Sequence, residues 1–344
     1  MKKKMYKFAV KTRLIYIWRG IKSIGRGVRS IGQYILEIKN RGLRTSLRLL
    51  IYKIENIPFV CKIRESSLDK KLDRILRDNE AERIILSLSN VDWNIPLFQR
   101  PQHLAIQLAN KGCLYFYHTQ NHYDHIDGYK KIGENLYLTN RFKEVYEKLK
   151  GKEKYIHVSN NTYAEDDIYI KDAVKNGDKV VYDYLDEISS ELSGREIPKD
   201  ILERHERLMK DEENCYVVAT ASKLYDDVAK HRSKNFGLIP NGVVYEHFRN
   251  IKKVVPKEMK EVVEEGKPII GYYGALASWF DYEMIKESAR KRKDWNFVVM
   301  GWDYDGTLEK SKISDIENIC VIGPKDYKIL PNMHSGLMFV QYHS

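Results

Sequence analysis

Short apolar runs alternate with helix-like segments through most of the chain. The runs have the length of buried strands, and the segments between them carry apolar residues at every third or fourth position. This alternation predicts an α/β fold with a parallel, doubly wound sheet. The predicted strands span residues 84–88, 114–118, 136–139, 155–158, 180–182, 215–219, 236–239, 269–274, 297–301 and 319–323. The predicted helices span residues 101–112, 199–213, 223–230 and 281–291.

The N-terminal segment has a different pattern, a single apolar stripe at helical spacing. Its apolar positions are separated alternately by four and three residues, and Arg19, Lys22, Arg26 and Arg29 lie on the opposite face. A second amphipathic helix follows Gly42 and is expected to end at Pro58, and a polar helix is expected over residues 65–80. The stripe consists of Val10, Leu14, Ile17, Ile21, Ile24, Val28, Ile31, Ile35 and Ile38.

The basic charge of the chain is concentrated in this segment. Residues 1–64 hold 17 of the 59 Lys and Arg but only 2 of the 48 Asp and Glu, a net charge of +15, so the remaining residues carry −4. A slightly acidic body disfavours nucleic acid as a partner. The pattern favours residues 5–55 lying on an anionic membrane surface, where basic side chains face headgroups and the stripe enters lipid. The alternative is a helix that packs on its own protein or forms an oligomer, because a coiled coil has the same spacing.

Composition limits the class of protein further. Hydrophobic residues make up 43% of the 344-residue chain and charged residues 31%, a globular balance. No apolar run approaches the roughly 20 residues of a membrane span, and no signal peptide can be recognised. The four cysteines are far apart in sequence, which argues against zinc and against a disulfide scaffold. We expect a cytoplasmic protein, peripheral at the inner face of the cell membrane.

Changes in pattern divide the chain into segments. A basic helical segment comes first, and the two strand-and-helix series are separated by a stretch without core-like apolar density. The predicted divisions are a basic amphipathic segment (1–64), a connecting helix (65–82), a first Rossmann-like domain (83–248), a linker (249–267) and a partial second Rossmann-like domain (268–344).

Several short motifs lie in a characteristic order between residues 83 and 330. They are Trp93 with residues 100–105 (RPQHLA), 181–187 (VYDYLDE), 219–222 (ATAS), 239–243 (IPNGV) with 245–248 (YEHF), 270–275 (IGYYGA), 279–281 (WFD) and 295–297 (WNF). Each motif alone is weak, but their order and spacing resemble family 4-type glycosyltransferases of the GT-B architecture. The resemblance is to the bacterial subgroup that includes teichuronic-acid and exopolysaccharide enzymes.

This resemblance implies a fold and a reaction. Two Rossmann-like domains would face each other across a cleft, with a nucleotide-diphosphate sugar on the C-terminal domain and the acceptor, a polysaccharide or a lipid-linked glycan, on the N-terminal domain. Such enzymes generally need no metal or other cofactor. They stabilise the leaving diphosphate with a helix N-terminus and basic side chains, which suits an anion physically. Two alternatives stay open: another GT-B enzyme such as a sugar-nucleotide epimerase, and a non-catalytic remnant or scaffold.

The candidate acceptor-side residues follow predicted strands of the first domain. Asp183 and Asp186 lie at the carboxyl end of a central strand, where open α/β sheets bind ligands. Either could act as general base on an acceptor hydroxyl or orient it, and helix capping is the structural alternative. Trp93, Arg100 and His103 lie at the loop-to-helix turn after the first strand, where Arg100 could reach a phosphate or simply start the helix.

The candidate donor-side residues are small. Gly271, Gly274, Ala275 and Gly301 would let the backbone approach the donor closely, and the alternative is a tight turn. The remaining histidines show no metal-ligand spacing and are interpreted as surface or loop residues. They are His118, His122, His125, His157 and His205.

The second domain is shorter than the resemblance implies. Only 77 residues follow the linker, and the family's later motif, a lysine before an acidic helix with two glutamates, has no counterpart. Residues 336–344 (GLMFVQYHS) can be encoded by bases that in a neighbouring frame read FDVCTIPF, resembling the strand usual in the subgroup. We therefore expect a frameshift in the gene or its sequencing between about residues 330 and 336, and the alternative is a naturally divergent end. If the frameshift is real in the cell, we expect little transferase activity from this chain. The nucleotide sequence past codon 330 tests the frameshift.

Overall fold

The computed structural model divides the chain into two units, residues 1–78 and 79–344, which are described separately. The apolar stripe from Val10, the helix after Gly42 and the predicted membrane-facing segment 5–55 lie outside the described residues. No helix among the described residues is both long and apolar enough to cross a membrane. The described residues are 58–79, 81–95, 98–190, 196–249, 255, 257–334 and 339–342.

In the first unit, one polar helix, α1, spans Pro58–Asp78. The predicted polar helix is therefore confirmed, and Pro58 is its first described residue. The preceding helix, which was expected to end at Pro58, lies outside the described residues, so that expectation stays a prediction. The helix runs without interruption through residues 64 and 65.

The second unit begins with an eight-stranded sheet. Its strand order is β3-β4-β2-β1-β5-β6-β7-β8, and all neighbours are parallel except β3 and β4. The strands are β1 Ile84–Leu88, β2 Leu114–His118, β3 Tyr129–Gly133, β4 Leu136–Thr139, β5 Tyr155–Ser159, β6 Lys179–Tyr184, β7 Cys215–Ala219 and β8 Phe236–Leu238. The associated helices are α2 Arg100–Asn110, α3 Phe142–Lys148, α4 Asp167–Lys175, α5 Lys199–Lys210, α6 Ser222–His231 and α7 Tyr245–Arg249.

A four-stranded parallel sheet follows, in the order β11-β10-β9-β12. Residues of β9 and β10 enter two buried clusters, one with Tyr272, Phe297 and Val299 and one with Val298 and Met300, so both faces of this sheet are covered. The strands are β9 Ile269–Tyr273, β10 Asn296–Met300, β11 Ile319–Ile322 and β12 Phe339–Tyr342. The helices are α8 Lys260–Glu264, α9 Tyr282–Lys291, α10 Thr307–Ser311 and α11 Leu330–His334.

The predicted α/β class and all ten predicted strands are confirmed, with ends that differ by no more than two residues. The four predicted helices of this unit are confirmed too, although the helix from residue 199 ends at Lys210. The elements that the pattern missed are short or polar. Strand β3 carries exposed Lys130 and Lys131 and an irregular register beside β4, and helices α3 and α4 span too few residues to show a clear period.

A buried arginine fastens helix α5 to the strands that follow it. The Arg232 guanidinium donates hydrogen bonds to five backbone carbonyls at the end of α5 and beside β7 and β8. Some of these carbonyls belong to the last turn of α5, where no backbone N–H of the helix can pair with them. The arginine therefore donates hydrogen bonds that water would otherwise donate. The acceptors are the carbonyl oxygens of Leu208, Met209, Asp211, Cys215 and Asn235, at 2.6–3.0 Å.

A buried carboxylate lies in the segment between β5 and α4. Asp166 is buried, and its Oδ2 atom has no hydrogen-bond partner among the described residues. Burial raises the pKa of Asp166 from 3.8 to about 6, against the attraction of nearby Arg204. The guanidinium of Arg204 is directed instead to the carbonyls of Thr162 and Tyr163, at 2.7 Å each. The charged form of Asp166 is therefore disfavoured in the folded chain.

The Asp166→Asn variant is expected to be more stable than the wild type at pH 8, by about 1–3 kcal/mol. The pKa of Asp166 is higher in the folded chain than in the unfolded chain, so ionisation destabilises the fold. This penalty is complete above the folded pKa of about 6 and disappears as the pH falls towards 4. Urea unfolding at pH 8 and pH 4 measures the difference. Asp172→Asn, an exposed position on α4, is the control, and an equal effect of both variants would contradict the assignment.

Candidate active site

A buried ion pair joins two of the predicted site residues. Asp183, on β6, accepts hydrogen bonds from the Arg100 guanidinium at the start of α2, with Nε–Oδ2 at 3.0 Å and Nη2–Oδ1 at 3.1 Å. Their side chains are 2% and 12% exposed. Pro101 occupies the first turn of α2, and the Gln102 side chain accepts from the Gln99 N–H at 2.7 Å. These local contacts fix where the helix begins and therefore where Arg100 points.

Arg100 also reaches the loop after β8. Its Nη1 atom lies 3.2 Å from the Pro240 carbonyl oxygen and 3.4 Å from Asn241 Oδ1. One side chain thus connects the loop after β1, the end of β6 and the turn after β8. The guanidinium already donates to protein acceptors on both sides. None of these contacts tests the expected contact with a phosphate, which stays a prediction.

Behind Asp183 lies a histidine that sequence reasoning misplaced. His157 lies on β5 and is buried, so its interpretation as a surface or loop residue was wrong. Its Nε2 atom is 3.6 Å from Asp183 Oδ2, and its Nδ1 atom is 2.8 Å from the Tyr115 hydroxyl. A polar residue inside the apolar run of residues 155–158 was the available signal. His118 and His205 are also half-buried within a strand and a helix, whereas His122 and His125 are exposed, as predicted.

These contacts determine the ionisation of Asp183. Burial alone would raise the pKa of Asp183, but hydrogen bonds and charge from His157 and Arg100 outweigh it and hold that pKa below its usual value. Burial raises the pKa of the Tyr115 phenol, which therefore stays neutral. A carboxylate with a lowered pKa and two fixed donors is a weak base. The geometry suits Asp183 to positioning its neighbours.

Asp186, the second predicted carboxylate, has a different environment. It follows the end of β6, and its side chain is accessible to solvent, although the surrounding protein removes part of its hydration and so raises its pKa. The backbone beside it is held firmly: the Asn160 amide donates to the Asp186 carbonyl at 2.9 Å, and the Thr220 hydroxyl donates to the Leu185 carbonyl at 2.7 Å. An accessible carboxylate with a raised pKa on a fixed turn can accept a proton.

Trp93 is a packing residue of the loop after β1. Its ring meets those of Phe98 and Tyr117 edge-on, at centroid distances of 5.6 and 5.2 Å. Two carboxylates that were not predicted as site residues, Asp92 and Asp124, connect this loop to the loop after β2 by hydrogen bonds. Asp124 accepts from the Trp93 N–H at 2.8 Å, while Asp92 accepts from the amides of the opposite loop. The tryptophan is thus packed within its loop, and its expected place in an acceptor or phosphate cleft stays a prediction.

His103 marks where the two sheets approach each other. Its ring lies 5.1 Å from that of Tyr327, which follows β11. The Tyr327 ring also stacks on His247 of α7 at 4.6 Å, and the His247 Nε2 atom is 2.9 Å from the Tyr327 carbonyl oxygen. Burial and the neighbouring His247 lower the pKa of His103. The carboxyl edges of the two sheets therefore face each other here, with His103 at the contact.

Among the predicted donor-side glycines, Gly301 is required by the packing of the strand ends. A Cβ atom on Gly301 would lie 1.8 Å from the Gly274 carbonyl oxygen, and one on Gly274 would lie 2.7 Å from the Tyr272 hydroxyl. That hydroxyl donates to the Ala275 carbonyl at 3.0 Å. Gly271 lies within β9, paired with β10 and β12. These contacts support the tight-turn alternative, and a donor contact stays a prediction.

The helix N-termini after β9 and β10 are already capped by carboxylates. Asp281 Oδ1 accepts from the Met284 N–H of α9 at 2.9 Å. Asp303 and Asp305 accept from the first amides of α10 and the turn before it. A diphosphate at either N-terminus would meet negative charge. No three His, Cys, Asp or Glu side chains in the described part of the chain converge as a metal site requires.

Solved structures share this arrangement of two sheets. The chain aligns over 75% of its length with 74% of a sucrose-phosphate synthase from Thermosynechococcus elongatus, with a TM-score of 0.56 and 13% identity. It aligns over 75% with 73% of Anabaena HepE, solved in complex with UDP and glucose, with a TM-score of 0.51 and 12% identity. At these identities the likeness is one of fold. The chain has the GT-B fold that the sequence resemblance implied.

A curated protein is similar in sequence. The chain is 26% identical over 165 residues to a Bacillus subtilis (strain 168) protein named as a teichuronic acid biosynthesis glycosyltransferase, TuaH. The match spans 45% of this chain and 41% of that protein, so less than half of the relative is covered. No protein-family model matches the chain. The expected resemblance to the teichuronic-acid subgroup is thus confirmed as a similarity.

The Gly301→Ala variant is expected to disrupt the second sheet. The added methyl group would overlap a backbone oxygen of the neighbouring loop, so β9 and β10 would have to separate. We expect a loss of more than about 2 kcal/mol in the free energy of unfolding, measured by urea titration. Gly323→Ala is the matched control, because no described atom lies within 4 Å of its Cβ position. Equal stability of the two variants would refute the close approach.

Proposed function

We propose that the protein transfers a sugar from a nucleotide-diphosphate sugar to a cell-surface polysaccharide or lipid-linked acceptor. The observation that carries the proposal is the GT-B fold, whose two sheets present their carboxyl edges to each other around His103 and Tyr327. It is supported by the sequence similarity to the Bacillus subtilis glycosyltransferase and by the UDP and glucose bound in HepE. The sugar and acceptor of this chain are part of the proposal.

In this proposal Asp186 is the general base. The acceptor hydroxyl gives its proton to Asp186 as its oxygen bonds to the anomeric carbon, and the bond from that carbon to the diphosphate oxygen breaks. The raised pKa of Asp186 brings it closer to the pKa that suits proton transfer near neutral pH. Asp183 acts as a positioning residue, because its bonds to Arg100 and His157 hold the end of β6 in place.

Asp186→Asn is expected to lower sugar transfer by at least about 100-fold, the usual contribution of a general base. Transfer is measured with radiolabelled UDP-sugars and a bacterial membrane lipid extract as the acceptor probe. Asp226→Asn, an exposed carboxylate on α6, should leave the rate unchanged. Wild-type rates in Asp186→Asn would refute the assigned base.

The same assay separates the alternative functions. An epimerised nucleotide sugar as the product would identify the epimerase alternative. The absence of both turnover and donor-induced thermal stabilisation would favour the non-catalytic scaffold. Robust transfer in this assay would also contradict the expectation of little transferase activity.

We further propose that residues 5–55 hold the enzyme at the inner, cytoplasmic face of the membrane. The full chain should sediment with vesicles containing phosphatidylglycerol but not with pure phosphatidylcholine, and 0.5 M salt should weaken the binding. Ser in place of Ile17, Ile21 and Ile24 should reduce binding further by removing the apolar stripe. Equal binding to both kinds of vesicle, or a salt-insensitive dimer with no vesicle binding, would favour self-association.

A further inference from the structure

The residue assigned as the general base lies on a segment that runs past the end of its strand. Strand β6 ends at Tyr184, and its neighbours β5 and β7 end level with Asp183 and Tyr184. Leu185 and Asp186 therefore follow the last paired residues of the ladder. Their backbone groups need other hydrogen-bond partners, because no neighbouring strand continues beside them.

The Asn160 side chain, directly after β5, supplies these partners. Its Oδ1 atom accepts from the Leu185 N–H at 3.2 Å, and its Nδ2 atom donates to the Asp186 carbonyl oxygen at 2.9 Å. Its own backbone N–H donates to the Asp183 carbonyl at 3.1 Å. Because a primary amide has one acceptor and one donor group, it acts here like a further peptide group of β5. Asn160 is buried, so water does not readily replace these hydrogen bonds.

A second side chain holds the same segment from the opposite side, but at an earlier point. The hydroxyl of Thr220, directly after β7, donates to the Leu185 carbonyl at 2.7 Å, and its N–H donates to the Tyr184 carbonyl at 3.3 Å. Both contacts are with residues that precede Asp186. Loss of the Asn160 amide would therefore release Asp186 while Leu185 stays attached to Thr220.

The position of the Asp186 backbone matters because its carboxylate is accessible to solvent. A general base acts only where its oxygen can form a hydrogen bond with the proton that it accepts. A displacement of about 1 Å can lower a rate by about 100-fold. An accessible carboxylate on a released backbone would occupy many positions, and most of them would be unproductive.

We propose that Asn160 is a positioning residue for sugar transfer, because its side-chain amide continues the β5 ladder and so fixes the backbone that carries Asp186. The inference rests on the proposed function, in which Asp186 is the general base. Asn160 acts through Asp186 and does not contact the reacting atoms.

The first test is Asn160→Ala in the full chain, which removes both side-chain hydrogen bonds. We expect the Leu185 amide to exchange with solvent at least about tenfold faster, because it loses its acceptor. We expect kcat to fall at least about tenfold while KM for the UDP-sugar changes less than about twofold, since donor binding does not depend on this segment. Hydrogen exchange is measured by mass spectrometry with residue-level fragmentation. Transfer is measured with radiolabelled UDP-sugars and a bacterial membrane lipid extract.

The second test, Asn160→Asp, separates the two hydrogen bonds. The new carboxylate still accepts from the Leu185 N–H but places an oxygen against the Asp186 carbonyl oxygen. At pH 8 we therefore expect Leu185 to exchange as slowly as in the wild type, while kcat falls as in Asn160→Ala.

The matched control is Asn318→Ala. Asn318 lies before β11, at the amino edge of the second sheet, and its amide donates to three backbone carbonyls at 2.9–3.0 Å. This variant loses hydrogen bonds of the same kind away from the candidate site, so kcat and the exchange of Leu185 should stay at wild-type values. Urea unfolding checks that every variant is folded.

Three results would overturn the proposal. They are unchanged Leu185 exchange in folded Asn160→Ala, wild-type kcat in that variant despite faster exchange, and an equal loss of kcat in Asn318→Ala. Absence of transfer by the wild type would instead refute the proposed function. The exchange of Leu185 would then still decide whether Asn160 holds the segment.

Discussion

The bidentate ion pair between Arg100 and Asp183 holds the first sheet's carboxyl edge together. It joins the helix after β1 to the end of β6, and the same guanidinium reaches the Pro240 carbonyl after β8. Burying two charges gains little net stability, but removing one partner leaves an unpaired charge at a cost of about 3–5 kcal/mol. The pair therefore fixes relative position, and the accessible turn around Asp186 depends on it.

The sequence pattern predicted the fold well because buried parallel strands are recognisable locally. Runs such as residues 84–88 and 297–301 are apolar on both faces and are bounded by polar or glycine-containing turns. The pattern failed where local and tertiary preferences differ. Strand β3 is held mainly by its neighbour β4, and most of its side chains are exposed or half-buried, so its own sequence carries little apolar signal.

The candidate site was predicted only in outline. The position of Asp183 and Asp186 at a strand end follows from the α/β pattern, but their difference depends on partners distant in sequence, Arg100 and His157. Gly274 and Gly301 were chosen for backbone freedom, and the structure adds that they come close to each other. The sequence did not predict that carboxylates cap both α9 and α10. Their combined negative charge becomes evident only when the fold places both loops at the same edge of the sheet.

The strand orders have a consequence for where a substrate can enter. In the first sheet the chain winds outward from β1 through β2 and then returns to place β5 on the other side of β1. In the second sheet it winds from β9 through β10 to β11 and returns to place β12 beside β9. The reversal in the first sheet, between β1 and β5, opens a crevice because the helices that follow these two strands leave on opposite faces. Arg100 follows β1 at this crevice, and Gly274 follows β9 at the corresponding reversal of the second sheet.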